Sequence, residues 1–232
     1  MTSGLGSTET APSATFANWY SNVSGNIGVP LPGLEMKLVP VGAKLEMRLR
    51  GPSITPGYLQ RDDLTRAVFD EDGYYKMGDA LVPLDPNDFS AGFLFDGRVG
   101  EDFKLATGTW VSVGPLRGEL LALLSPLVRD LVICGHDHDD IGLLLIPSVG
   151  VDTTDAAVRA TVRERLAAFA QTHPGSSTHA ARAVFLDDPP SIDAGEITDK
   201  GSLNNTVIRE RRREIVERLY QPAGDPAVMA IA

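Results

Sequence analysis

The chain has 232 residues, 43% apolar and 22% charged, with 31 acidic against 21 basic side chains and a formal net charge of −10. That balance fits one large or two modest globular domains and excludes a disordered chain. The acidic excess argues against a general nucleic-acid binder, because no surplus of lysine and arginine exists to neutralise phosphates. No apolar run reaches the length of a membrane span. The first residues carry neither the basic segment nor the apolar core of a signal peptide. The single cysteine, Cys134, permits no internal disulfide and reads as a small buried hydrophobe. A cytoplasmic protein with no nucleic-acid or membrane partner is expected.

Along the chain, residues 1–24 are rich in Thr, Ser, Gly and Ala and predict loop and edge structure. From Gly25 to Asp96 the pattern is short strands and turns. "LEMKLV" (34–39) and "KLEMRLR" (44–50) alternate apolar and polar residues, and residues 40–43 between them suit a tight hairpin connection. "YYKMGDALVPL" and "GFLFDG" add strands, which together predict a small barrel or curled sheet. The character changes after Gly97-Arg98-Val99-Gly100. Residues 113–127 predict a short amphipathic helix, and "VRDLVICG" and "IGLLLIPSV" predict buried strands. Val158, Val162, Leu166 and Phe169 recur at helical spacing, so a helix is predicted from Asp152 to Gln171, capped by Asp152 or Thr153 and stopped by His173-Pro174-Gly175. "ARAVFL" is a further strand, and Leu203 to Tyr220 a final, strongly charged helix. The fold class expected is α+β: a β-barrel-like subdomain over 1–96, a hinge at 97–100, and a small mobile α+β C-terminal domain over 101–232.

Four stretches carry polar residues that a fold alone does not require. "GLGSTET" (4–10) sets glycines beside Ser7 and Thr8, a loop whose backbone can approach a phosphate, with Glu9 able to hold a hard cation. On this stretch alone, a flexible N-terminal tail is the better explanation. "RGPSITPGY" (50–58) is turn chemistry. "YYKMGD" and "DGRVGEDFK" put the carboxylate of Asp79 and the guanidinium of Arg98 on one strand-turn-strand segment. They suit ribose hydroxyls and a phosphate, or a simple surface pair. "GEITDKGSLN" (195–204) places Lys200 in a glycine-flanked turn before a helix, where a lysine can meet developing negative charge or merely be solvated. "HDHDD" (136–140) reads as a strand connection, and "RERRRE" (209–214) as a solvated helix face. Trp19 and Tyr20 suit either adenine stacking or a core.

Taken in order, "GSTET", the glycines and prolines of 25–33, "RGPSITPGY", "YYKMGD", "GR" at 97–98, "ATGTWVSV" and a late "TDKG" resemble the C-terminal part of the acyl-adenylate-forming (AMP-dependent) acyl-CoA synthetases. The wording "EDFKLATGTWVSVGPLR" and "SIDAGEITDKGSLN" is most similar to the feruloyl-CoA synthetase branch. The resemblance implies a ligase that joins a carboxylate to ATP as an acyl-adenylate and then passes the acyl group to coenzyme A, with a domain rotation between the steps. It implies that Thr8 contacts the nucleotide phosphate and Glu9 the Mg²⁺. Asp79 and Arg98 would hold the ribose, Lys200 would serve adenylation, and Thr107-Gly108 would line the pantetheine tunnel. The hinge falls at Gly100 or Glu101. The family's upstream phosphate loop and acyl pocket have no counterpart among these residues. The resemblance therefore implies no appreciable activity for this polypeptide alone, and a partner in a separate N-terminal half or in a homodimer through exposed barrel faces. The competing expectations are a non-catalytic nucleotide-, CoA- or partner-binding remnant, and an adenylation unit that loads a carrier protein.

Overall fold

The computed structural model describes residues 3–17, 22–198, 200–221 and 224–231. Trp19 and Tyr20 lie outside them. The chain divides into two compact units, Met1–Gly100 and Glu101–Ala232.

In the first unit, β1 (Gly4–Leu5), β2 (Thr15–Phe16) and β3 (Val29–Pro30) form a small antiparallel sheet, with a 3-10 turn at Thr8–Thr10 between the first two. A second antiparallel sheet runs in the order β4 (Glu35–Val41), β5 (Lys44–Arg50), β6 (Tyr75–Pro83) and β7 (Phe93–Arg98), and helix α1 (Asp62–Val68) sits between β5 and β6. Val41 pairs with Lys44, so β4 and β5 are joined by a two-residue turn whose Gly42 adopts φ 61°, the geometry that matches strand twist. Met47, Leu49, Tyr75, Met77, Leu81 and Phe93 form the core of this unit. The barrel-like form expected from the strand pattern is replaced among the described residues by two open sheets, neither of which closes. Helix α1 has no period in the sequence because it is seven residues long and buries none of them.

The second unit opens with a hairpin of β8 (Phe103–Lys104) and β9 (Trp110–Val111), then α2 (Val113–Leu124), β10 (Val128–Cys134), β11 (Ile141–Pro147), α3 (Ala156–Thr172), β12 (Ala180–Phe185), α4 (Asn205–Arg211), α5 (Arg213–Leu219) and β13 (Met229–Ala230). Its sheet runs β10-β11-β12-β13, antiparallel except for the β11–β12 pair, which α3 connects as a crossover. The strands are continuous apolar runs because both faces are covered. Leu131, Ile133, Leu143 and Leu145 pack on Leu116, Leu120 and Leu124 of α2 and on Val162 and Leu166 of α3. Val132, Cys134, Leu144 and Ile146 meet Ile208 of α4 and Leu219 of α5 on the other side. Each such side chain contributes about 1.5–3 kcal/mol of burial.

Two details differ from the sequence reading. Helix α3 is capped by Asp155, whose carboxylate accepts from the Ala157 amide at 2.8 Å. Asp152 instead accepts from the amide and hydroxyl of Thr154 and closes the turn before the helix. The single helix expected over 203–220 breaks at Arg212 (φ −102°, ψ 29°), whose side chain is drawn away to Glu196. Among the described residues no helix is long and apolar enough to cross a membrane.

Candidate functional site

The Gly78-Asp79 dipeptide occupies a doubly irregular stretch of β6. On one side, four residue steps from Lys76 to Ala80 oppose only two of β5, from Arg48 to Glu46. On the other side, three steps of β7, from Phe95 to Arg98, oppose two of β6, from Asp79 to Leu81. Gly78 and Gly97 supply the left-handed backbone that such bulges need, at φ 77° and 80°. The Val99 amide closes the turn on the Gly78 carbonyl at 2.9 Å. This distortion buries Asp79, only 6% exposed, and sets it directly opposite Arg98, whose Nε donates to Asp79 Oδ1 at 3.1 Å. The Arg98 side chain is itself mostly exposed. A buried carboxylate oriented by an arginine that still reaches solvent can accept hydroxyls and direct a guanidinium edge outward.

Thr8 is exposed at the start of the 3-10 turn, and Glu9 follows it, partly buried. Thr10 locks the turn: its hydroxyl accepts from the Ser7 amide at 2.9 Å and donates to the Ser7 carbonyl. The Tyr58 hydroxyl donates to Glu9 Oε1 at 3.0 Å, and the Glu9 carbonyl accepts from the Thr55 amide. Burial first, then Tyr58 and Glu9, push the Tyr75 hydroxyl above the ordinary tyrosine range. Tyr58 thus links Glu9 to strand β6, two turns of the pleat from Asp79. Sequence reading treated residues 50–58 as turn chemistry only and missed Tyr58, since nothing local signals a contact 49 residues away. Among the described residues no group of three or more His, Cys, Asp or Glu is placed to hold a metal. Glu9 alone fits a Mg²⁺ that keeps most of its ligands as water and phosphate, as that ion commonly does.

In the second unit, Thr107 and Gly108 lie exposed at the tip of the β8–β9 hairpin. Gly108 takes φ 84°, with its amide on the Leu105 carbonyl at 2.8 Å, and the Ala106 amide ties the tip to the His138 carbonyl. Lys200 is exposed in a second, smaller hairpin, 197–203, closed by an Ile197–Leu203 bridge and by the Thr198 amide on the Ser202 carbonyl at 2.8 Å. Its base is anchored by Glu196, 3% exposed. Arg212 grips both Glu196 oxygens, at 2.9 and 3.0 Å, and also bonds the Asp188 and Pro189 carbonyls. The Arg212 hydrogen bonds hold the Glu196 carboxyl below its ordinary pKa against the opposing effect of burial. Arg212 was lost to sequence reading inside a run of like charges. Gly100 and Glu101 fall on either side of the division between units, and Glu101 accepts from Asn205 Nδ2 at 3.4 Å. The structure therefore brings Asp79 and Arg98 together, and links Glu9 to their strand. It carries Thr107-Gly108 and Lys200 on separate hairpins of the second unit.

This fold recurs within a part of solved adenylation domains. The chain superposes on the adenylation domain of a carboxylate reductase from Mycobacterium chelonae with a TM-score of 0.76 at 25% identity, covering 95% of this chain and 34% of that one. The Segniliparus rugosus counterpart, solved with AMP and a co-purified carboxylic acid, matches in fold with the same TM-score at 24% identity, over 94% of this chain and 35% of that one. Residues 102–224, more than half of the chain, match the AMP-binding enzyme C-terminal domain, and the chain belongs to that family. In sequence it is 26% identical over 240 residues to a chloroplastic long-chain-fatty-acid–[acyl-carrier-protein] ligase of Arabidopsis thaliana, across 95% of this chain and 32% of the ligase. It is 28% identical over 184 residues to a carboxylic acid reductase of Segniliparus rugosus, across 75% of this chain and 15% of the reductase. The chain thus spans about a third or less of the length of these two curated relatives.

Proposed function

We propose that this chain supplies the C-terminal portion of an ATP-dependent acid–thiol ligase that works through an acyl-adenylate. The observation that carries the reading is the buried Asp79 carboxylate, turned by two glycine bulges against Arg98. In this reading Asp79 accepts the two ribose hydroxyls of ATP or AMP, and the outward edge of Arg98 donates to the same nucleotide. Thr8 reaches a phosphate oxygen and Glu9 a water of the accompanying Mg²⁺. Lys200, carried at a hairpin tip clamped by Glu196 and Arg212, neutralises charge as the acid attacks the α-phosphate. Gly100 and Glu101 are the points about which the second unit turns, so that Thr107 and Gly108 face the acceptor thiol in the second step. ATP supplies the activation energy, and these residues hold, orient and neutralise.

The acid is a hydroxycinnamate of the feruloyl type, a choice that rests on the wording around residues 101–117 and 191–204. The acceptor in this reading is coenzyme A. A carrier protein is the second reading, favoured because one relative is an acyl-carrier-protein ligase and one structural neighbour is an adenylation–carrier didomain. This reading expects no activity from these 232 residues by themselves, since losing even one preorganised donor to the triphosphate costs about 10²–10³ in rate. Its complement is an N-terminal half or a second copy that covers the apolar faces of the first unit. Pyrophosphate exchange into ATP, measured with ferulate and the 232-residue chain, should stay at background. Exchange above background from this chain alone overturns the inactivity, and coenzyme A against carrier protein in a complemented enzyme separates the two acceptors.

A further inference from the structure

The described basic side chains of the second unit that leave solvent mostly find an acceptor. Arg117 closes on Asp130, Arg182 on Asp140 and Arg212 on Glu196, while Arg165 bonds the Leu123 and Ser125 carbonyls. Arg209 of α4 is different. It is half-buried, and among the described residues its side chain makes one long hydrogen bond, 3.4 Å, to the Thr206 hydroxyl. Among the described residues it forms no ion pair, and Glu101 and Glu210 act on it only through space. Desolvation accordingly pulls its pKa down. A half-buried guanidinium with no carboxylate against it keeps donors for an incoming anion.

Arg209 opens into a cavity of about 200 Å³ at the end of strand β10, lined also by His136, His138, Arg213 and Glu210. Arg213 comes from the first residue of α5, so the break at Arg212 puts two arginines from different helices onto one cavity. The imidazoles come from the loop between β10 and β11. Both rings are fixed in place: His136 stacks on Phe103 with centroids 4.0 Å apart, and His138 on Tyr220 at 3.5 Å. His136 keeps an exposed edge, yet desolvation of the rest, then the Arg209 charge, lower its pKa to about 4, against an opposing contribution from Asp137. The cavity thus offers two forked cations and two imidazoles, with Glu210 in its lining and the charges of Glu101 and Asp137 also acting on Arg209 and His136.

We propose that this cavity is a phosphate-binding site, taking the terminal phosphate monoester of a small ligand. Two guanidiniums from separate helices suit a tetrahedral group with several acceptor oxygens better than a planar carboxylate, which one fork satisfies. The imidazoles add N–H donors, and a bound dianion favours protonation of His136. The site is independent of Asp79 and Lys200, and stands whether or not the ligase reading does.

The test is a titration of the full chain with inorganic phosphate, read on the ring signals of its four histidines by NMR. His136 and His138 should shift with saturation, and the pKa of His136 should rise, while His173 and His179 stay still. Arg213→Gln, at an exposed position, and Arg209→Gln should each weaken binding about tenfold, the scale of one charge-assisted hydrogen bond. Arg213→Gln keeps the test open if the Arg209 variant does not fold. Equal, unsaturated shifts at all four histidines, or saturation unchanged in a folded Arg213→Gln, overturn the proposal. Adenosine 3′-monophosphate and phosphopantetheine, run in parallel, identify the source: whichever binds more tightly than inorganic phosphate carries the group, and equal binding means that the phosphate alone is read.

Discussion

The two units bury their apolar residues to different degrees. Among the described residues, of the large hydrophobic side chains left exposed, nine belong to the first unit (Phe16, Val23, Val29, Val41, Leu59, Leu64, Val82, Phe89 and Phe95) and three to the second (Trp110, Val149 and Ile192). The second unit covers both faces of its sheet with its own helices. The first closes its core on a sheet yet leaves Val82 of β6 and Phe95 of β7 at 46% and 47% exposure. One unit covers both faces of its sheet, and the other leaves more apolar side chains in contact with solvent. The candidate site follows the same division. Asp79 is held by strand irregularity in the open unit, and Lys200 by a buried ion pair in the closed one.

That contrast can be broken from its strongest point downward. Replacing Arg212 with alanine should leave Glu196 buried and uncompensated and destabilise the second unit by about 3–5 kcal/mol, measured by urea unfolding. A loss below about 1 kcal/mol would mean the clamp is ornamental. Leu144→Ala, at a fully buried position, should cost about 2–5 kcal/mol, whereas Leu59→Ala, 92% exposed, should stay within about 0.5 kcal/mol. Gly78→Ala forces a side chain onto φ 77° with open space around it, so the cost should be strain alone, about 1–2 kcal/mol. Phe95→Ser should leave unfolding nearly unchanged and reduce self-association in analytical ultracentrifugation, the result expected where exposed apolar side chains of the first unit bring copies together.

The pH dependence points at the second unit. The folded pKa of Glu196 is depressed, so its contribution is complete above the ordinary carboxylate value, about 4.5. It is lost as pH falls through the lower folded value. Hydrogen-exchange protection factors, corrected for the intrinsic rate at each pH, should therefore fall at the 197–203 hairpin on acidification before they fall at β11.

Much of the second unit was legible because its elements repeat a single period. Val158, Val162, Leu166 and Phe169 mark α3, and unbroken apolar runs mark β10 and β11, since both faces of that sheet are covered. The break in the last helix was not legible, because it depends on Glu196, sixteen residues from Arg212. The first unit was legible as strands but not as a shape. Closure depends on sheet twist and strand pairing at the edges, which alternation does not encode. Gly78-Asp79 could be singled out by composition. The bulges that bury the aspartate arise only when three strands meet in register.

The central claim is that half a nucleotide site is built around Asp79. The direct measurement is isothermal titration of the folded chain with a non-hydrolysable acyl-adenylate analogue, alongside Asp79→Ala, with circular dichroism to show that both are folded. The account predicts weak, saturable binding that disappears in the variant. Binding of equal strength in both, or none by a folded wild-type chain, would contradict it.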